Sequence, residues 1–174
     1  MRRTPLAAAA FLIAAFPAAA FAQDAYTKAA KAQFDMVKEY LSKSAAKVPD
    51  DVYAFRPTPE VRTFGQLIGH VADANFGICA LAAGTKPPQG GFEKGKTSKA
   101  DLTKALDESL AYCDSVIAAL DDVKGAESVM FFGRSMPKLS VFNFNIQHCN
   151  ESSGTLVAYM RLKGIVPPSS EGSP

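Results

Sequence analysis

The chain has 174 residues and a formal net charge of +2 at pH 7, and 48% of its residues are hydrophobic. No basic stripe or Lys/Arg cluster stands out, which argues against nucleic acid and against an anionic membrane surface as partners. Three cysteines without a C-x-x-C spacing exclude a zinc ribbon and a thioredoxin-like motif.

Met1, Arg2 and Arg3 make a short basic start, Leu6 to Phe16 is an apolar run, and Ala20, Phe21 and Ala22 form a small-x-small cleavage site. The run is too short to serve as a permanent membrane anchor. The expectation is a signal peptide over residues 1–22 and a periplasmic or secreted protein. Residues 23–174 remain as one domain of roughly 150 residues, enough to bury a core without staples. Loss of Arg2 and Arg3 leaves as many basic side chains as the 17 acidic ones, so the mature net charge is zero. In an oxidising compartment Cys79, Cys113 and Cys149 imply one disulfide and one leftover thiol.

Residues 24–47 place apolar groups at Tyr26, Ala29, Ala30, Phe34, Val37 and Leu41 between lysines, the pattern of an amphipathic helix. Pro49 breaks it, and Pro57 and Pro59 keep the next segment from continuing as a regular helix. Tyr53 and Phe55 in that connection are expected to pack over the bundle end. Thr63 is a good N-cap for a second helix that runs to about Ala83, with a stripe of Leu67, Val71, Ala74, Ile78 and Leu81 and a stop at Gly84. Residues 84–97 are rich in Gly, Pro and Lys and lack apolar periodicity, so they read as a mobile surface connection. They are not a phosphate cradle, because no strand enters them.

Ser98 with Asp101 gives a capping-box-like start to a third helix, traced by Leu102, Leu106, Leu110, Cys113, Val116, Ile117 and Leu120. Asp121, Asp122 and Gly125 close it. Val129 to Phe132 has extended character but no evident partner strand, so it reads as an ordered crossover. Pro137 then opens the last helix. Val141, Phe144, His148, Ser152, Leu156 and Tyr159 recur at the spacing of one helical face, and Gly164, Pro167 and Pro168 end it. Four amphipathic helices with a long connection on each side of the third make an all-α four-helix bundle.

Only two histidines are present. His148 falls on the buried face of the last helix and His70 on the edge of the second helix's stripe, with Asp73 one turn further on. Ser152 follows His148 by four residues, about 6 Å along the axis. Cys149 projects a quarter-turn away, toward a neighbour or solvent, and Glu151 can swing inward. Facing helices of a bundle are a recognised place for metal sites. A Ser152–His148 or Ser153–His148 nucleophile pair is permitted by spacing but lacks an elbow and oxyanion donors.

His148, Asn150 and Glu151, followed by Gly154, Leu156, Val157 and the run Tyr159 to Ser170, resemble the last helix of DinB-like four-helix-bundle proteins in their exported bacterial branch. Phe55 to Pro57, Arg62 to His70 and Ala111 to Asp114 extend the resemblance over nearly the whole mature chain. It implies a divalent metal held by three histidines, one on the second helix and an H-x-x-x-H pair on the last. His70 and His148 match the first two ligand positions, and Ser152 stands at the third. A serine hydroxyl is a poor substitute for imidazole toward zinc or nickel, so the metal is expected to be weakly held or absent unless Asp73 or Glu151 completes the set.

Two functions follow. One is a non-catalytic exported bundle with a degenerate metal site that serves as a small-molecule binder or an interaction module and is expected to form a homodimer. The other is a metal-dependent hydrolase or thiol S-transferase in which Tyr159 or Asn150 orients substrate. A Cys79–Cys113 disulfide is expected, because the two residues lie on sequential helices and because chains resembling this one carry both. Intact-mass measurement of protein recovered from the periplasm should place the mature N-terminus at Gln23, within a residue or two. Full-length chain in the membrane fraction would contradict this.

Overall fold

The computed structural model describes residues 24–172, and the expected signal peptide over residues 1–22 lies outside the described residues. Four long helices form the bundle: α1 (Ala25–Lys47), α2 (Phe64–Ala83), α4 (Lys99–Ala118) and α6 (Lys138–Leu162). One-turn helices α3 (Phe92–Gly95) and α5 (Asp122–Ala126) lie in the connections, with strands β1 (Ser128–Phe131) and β2 (Arg134–Pro137). Helix α2 packs most extensively on α4 and α6, and α1 closes the bundle against the same two from the opposite corner. Among the described residues no helix is long and apolar enough to cross a membrane.

The helix boundaries have local causes. Thr63 Oγ1 accepts from the Gln66 backbone N–H while the Gln66 side chain accepts from the Thr63 backbone, a complete capping box for α2. Gly84 closes α2 with φ 72°, a left-handed conformation that suits a residue without a Cβ. Ser98 accepts from the Asp101 backbone to start α4. Helix α1 lacks a cap of its own; the Asp122 carboxylate on α5 accepts from the backbone N–H groups of Tyr26 and Thr27 instead. A carboxylate there also faces the positive end of the helix dipole.

The core is filled by Phe34, Phe64, Phe76, Phe142, Ile68, Leu106, Leu156 and Met160, all essentially inaccessible. Burying each such side chain contributes about 1.5–3 kcal/mol. Phe34 and Phe142 meet edge to face with ring centres 5.3 Å apart, joining α1 to α6. At the bundle end Tyr53 donates to the Ala45 carbonyl at 2.7 Å and packs on Phe64, while Phe55 packs on Tyr159.

Three sequence expectations change. Val129 to Phe132 does have a strand partner: β1 and β2 pair antiparallel, with Ser128 opposite Pro137 and Phe131 opposite Arg134. The turn places Phe132 at φ 46° and Gly133 at φ 78°. Two left-handed central residues are what a tight hairpin turn requires, but phenylalanine is not a residue that announces one. On α6, Phe144 is 38% exposed and packs on the hairpin through Phe131, whereas Cys149 is fully buried. Helix α6 faces both α1 and α2, so its buried arc is wider than a single stripe. Finally, the connection before α4 is ordered by α3.

Cys79 on α2 and Cys113 on α4 are disulfide-bonded, with Cα atoms 5.4 Å apart, and Cys149 is the free thiol. Burial pushes the Cys149 thiol up to about 12, so little thiolate forms at neutral pH. Replacing Cys79 and Cys113 together by serine should cost about 3–4 kcal/mol in chemical denaturation through the lost loop constraint, with helical content retained. Native protein should resist alkylation at Cys149 until unfolded. A peptide map that links Cys149 to either partner would contradict the pairing.

Candidate functional site

Helices α2 and α6 run antiparallel along their contact, and three contacts mark the register. Near one end the Tyr159 hydroxyl donates to the Arg62 carbonyl at 3.0 Å. Further along, Asn145 Nδ2 donates to Asn75 Oδ1 at 3.0 Å within the core. Between them His70 and His148 face each other with ring centres 5.0 Å apart and planes inclined by 78°. The capping box that starts α2 at Thr63 sets where His70 falls, and the Asn75–Asn145 pair sets how far α6 slides.

The two rings line a cleft of about 510 Å³ that also exposes Arg62, Glu93, Ser152 and Tyr159. Two imidazoles on one tetrahedral ion, with metal–nitrogen bonds of about 2.0–2.1 Å, place their ring centres about 5 Å apart. The observed spacing fits that requirement. His148 Nε2 is buried and has no hydrogen-bond partner among the described residues, as expected of a nitrogen that awaits a ligand. The donor set stops there. Among the described residues no three His, Cys, Asp or Glu side chains are grouped so as to hold an ion. The described residues thus bring two imidazoles together at a spacing compatible with one ion.

Ser152 is buried, 4% exposed, in the cleft beside His148. Glu151 points outward: its side chain is 82% exposed, and its nearest approach to His148 Nδ1 is 4.0 Å. Asp73 is engaged elsewhere. Its two oxygens accept from the backbone N–H groups of Phe92 and Glu93, both at 3.0 Å, and so anchor the start of α3. The hydroxyl of Tyr159 is committed to Arg62, and Asn150 turns its amide back to the Ile146 carbonyl at 3.0 Å. Asn150 lines a different groove, of about 940 Å³, across α1 and α6, and that groove contains neither histidine.

The carboxylate that reaches the histidine pair is Glu93. Its Oε2 lies 2.9 Å from His70 Nδ1, and its Oε1 accepts from Arg62 Nε at 2.9 Å. Burial, the largest single influence, pushes the Glu93 carboxyl upward, but hydrogen bonds from Arg62 and His70 outweigh it and leave the group below the usual range. Glu93 sits in the Gly/Pro/Lys-rich connection, where no periodicity marks it. The available signal was Asp73, an acidic side chain on α2 placed to cap an incoming turn.

A scan against protein families matches the DinB superfamily over residues 33–152, and the chain belongs to that superfamily. Among solved structures, a DinB-like protein from Bacillus cereus is similar with a TM-score of 0.70 and 19% identity, covering 81% of this chain and 95% of that one. A DinB-like protein from Bacillus subtilis gives 0.65 and 17%, covering 78% and 92%. A conserved protein from Enterococcus faecalis gives 0.61 and 13%, covering 78% and 95%. These likenesses establish the fold. A search of curated proteins returns no match.

Burial holds the His148 imidazole below its ordinary value, and neighbouring His70 and Arg62 add to the effect, while Glu151 opposes it. The unfolded chain thus binds this proton more readily than the folded one. The stability His148 contributes is present above the ordinary histidine value of about 6.5 and is lost as pH falls below it. The melting temperature should therefore decline between neutrality and about pH 5, and decline less in His148→Gln. Equal slopes in the two proteins would contradict the assignment.

Proposed function

We propose that the protein is an exported DinB-superfamily bundle whose cleft retains two of three metal-binding positions and therefore holds zinc or nickel weakly. The observation that carries this reading is the pairing of His70 and His148 at metal-compatible spacing with Ser152 one turn beyond His148. A hydroxyl is short, neutral and a weak donor to a borderline ion, so losing one imidazole of three lowers affinity by several orders of magnitude. Asp73 and Glu151 do not compensate: the first caps α3 and the second faces solvent. Folding does not depend on the ion, because the helices bury their own apolar faces.

On this reading the cleft binds a small molecule, and the protein works in the periplasm or outside the cell as a homodimer without nucleic acid or a membrane anchor. The second reading, a metal-dependent hydrolase or thiol S-transferase, is favoured by the ordered cleft and by the unpartnered His148 Nε2. A divalent ion bound there would supply a lowered water pKa or polarise a carbonyl or thiol. In that case His70 and His148 hold the ion, and Arg62 and Tyr159 shape the wall against which substrate rests.

Titration of the wild type and of Ser152→His with Zn(II) and Ni(II) separates the two. Weak binding by the wild type and tight stoichiometric binding by Ser152→His is the expected result, with His70→Ala abolishing both. Equal affinity would show that another side chain completes the site and would favour the enzyme. No tight binding by Ser152→His would mean that the two imidazoles do not converge on one ion.

A further inference from the structure

We propose that Glu93, carried into the cleft by α3, is the positioning residue of the histidine pair: it fixes His70 in the Nδ1–H form, so that Nε2 bears the lone pair available to a ligand. The inference rests on reading the His70–His148 pair as the functional centre, and it assigns a role to a residue in the connection between α2 and α4.

Two contacts and the chemistry of the groups that make them converge on it. Glu93 Oε2 is 2.9 Å from His70 Nδ1, a hydrogen-bonding distance. Arg62 Nε donates to the other oxygen at 2.9 Å, so the carboxylate is held from two sides and its orientation is set. An ionised carboxylate has no proton to give, so the hydrogen between the two groups belongs to His70 Nδ1. In a neutral imidazole the other nitrogen must then be the acceptor. A carboxylate behind the ring also raises the basicity of that acceptor and restricts rotation of the ring.

The backbone that carries Glu93 is placed with equal care. Asp73, one turn beyond His70 on α2, accepts from the backbone N–H groups of Phe92 and Glu93. One turn of α2 thus supplies both the histidine and the anchor for its partner. Gly69 permits the approach: a Cβ there would stand 2.8 Å from Glu93 Cα and from Glu93 N, closer than packed atoms tolerate. Phe92 packs near Phe76 with ring centres 6.0 Å apart, which adds an apolar contact to the docking. Residues 69, 73 and 76 therefore form a seat on α2 for a turn whose one inward carboxylate meets His70.

Histidine ring ¹⁵N NMR of the metal-free protein, at a pH above the histidine range, tests the inference. The readout is the tautomer of His70, which a merely structural role for Glu93 would leave unchanged. In the wild type, Nδ1 should show a protonated, pyrrole-type shift and Nε2 an unprotonated, pyridine-type shift. Glu93→Gln keeps an accepting oxygen and should preserve that pattern. Glu93→Ala should lose it, giving a mixture weighted toward Nε2–H. Gly69→Ala keeps every polar group but displaces α3 from its seat, and it should give the same loss with the bundle's helical content intact. A wild-type His70 that carries its proton on Nε2, or a tautomer unmoved in both Glu93→Ala and Gly69→Ala, overturns the proposal. Because no metal is added, the result stands apart from whether the cleft binds zinc.

Discussion

The register between α2 and α6 is the constraint on which the rest depends. It is held at the core by the Asn145–Asn75 amide pair and at one end by the Tyr159 hydroxyl on the Arg62 carbonyl. Buried amides tolerate few offsets, because a slide of one turn would leave both without partners at a cost of about 1–3 kcal/mol for each unsatisfied group. Asn75 also donates to Ser109 on α4 at 3.1 Å, so the same side chain ties three helices together. The Cys79–Cys113 disulfide pins α2 to α4 one turn further along. Helix α2 is therefore fixed against both neighbours close to the point where His70 faces His148.

From that fixed frame the cleft inherits its chemistry. His70 and His148 come from different helices, and their spacing is only as reliable as the helix register that sets it. Ser152 occupies the position one turn along α6 without reaching across as an imidazole would. Arg62 has a double duty: its carbonyl receives Tyr159 and its guanidinium holds Glu93. A single residue before the N-cap of α2 thereby links the end of α6 to the back of the histidine pair.

Much of this was legible in the sequence because it rests on local rules. Thr63 and Gly84 bound α2 through capping and left-handed geometry, and the apolar stripes gave the four long helices. Cys79 and Cys113 on consecutive helices fell together as sequential neighbours do. The parts that were not legible depend on contacts between distant segments. Glu93 lies in a stretch without periodicity and owes its position to Asp73 and Gly69 on another helix. The hairpin depends on Phe132 taking a left-handed conformation that its side chain does not favour. Phe144, expected on the buried stripe, meets the hairpin and stays 38% exposed, while Cys149 takes the neighbour-facing of its two expected placements because α6 packs on two helices.

The central claim is that His70 and His148 converge on one point where a third protein donor is missing. Anomalous scattering from a crystal soaked in zinc measures this directly. The predicted result is an ion between the two imidazoles, bound through both Nε2 atoms and by no third protein side chain, with Glu93 still on His70 Nδ1. An ion completed by Glu93, Glu151 or Asp73, or one bound elsewhere with the histidine pair undisturbed, would contradict it.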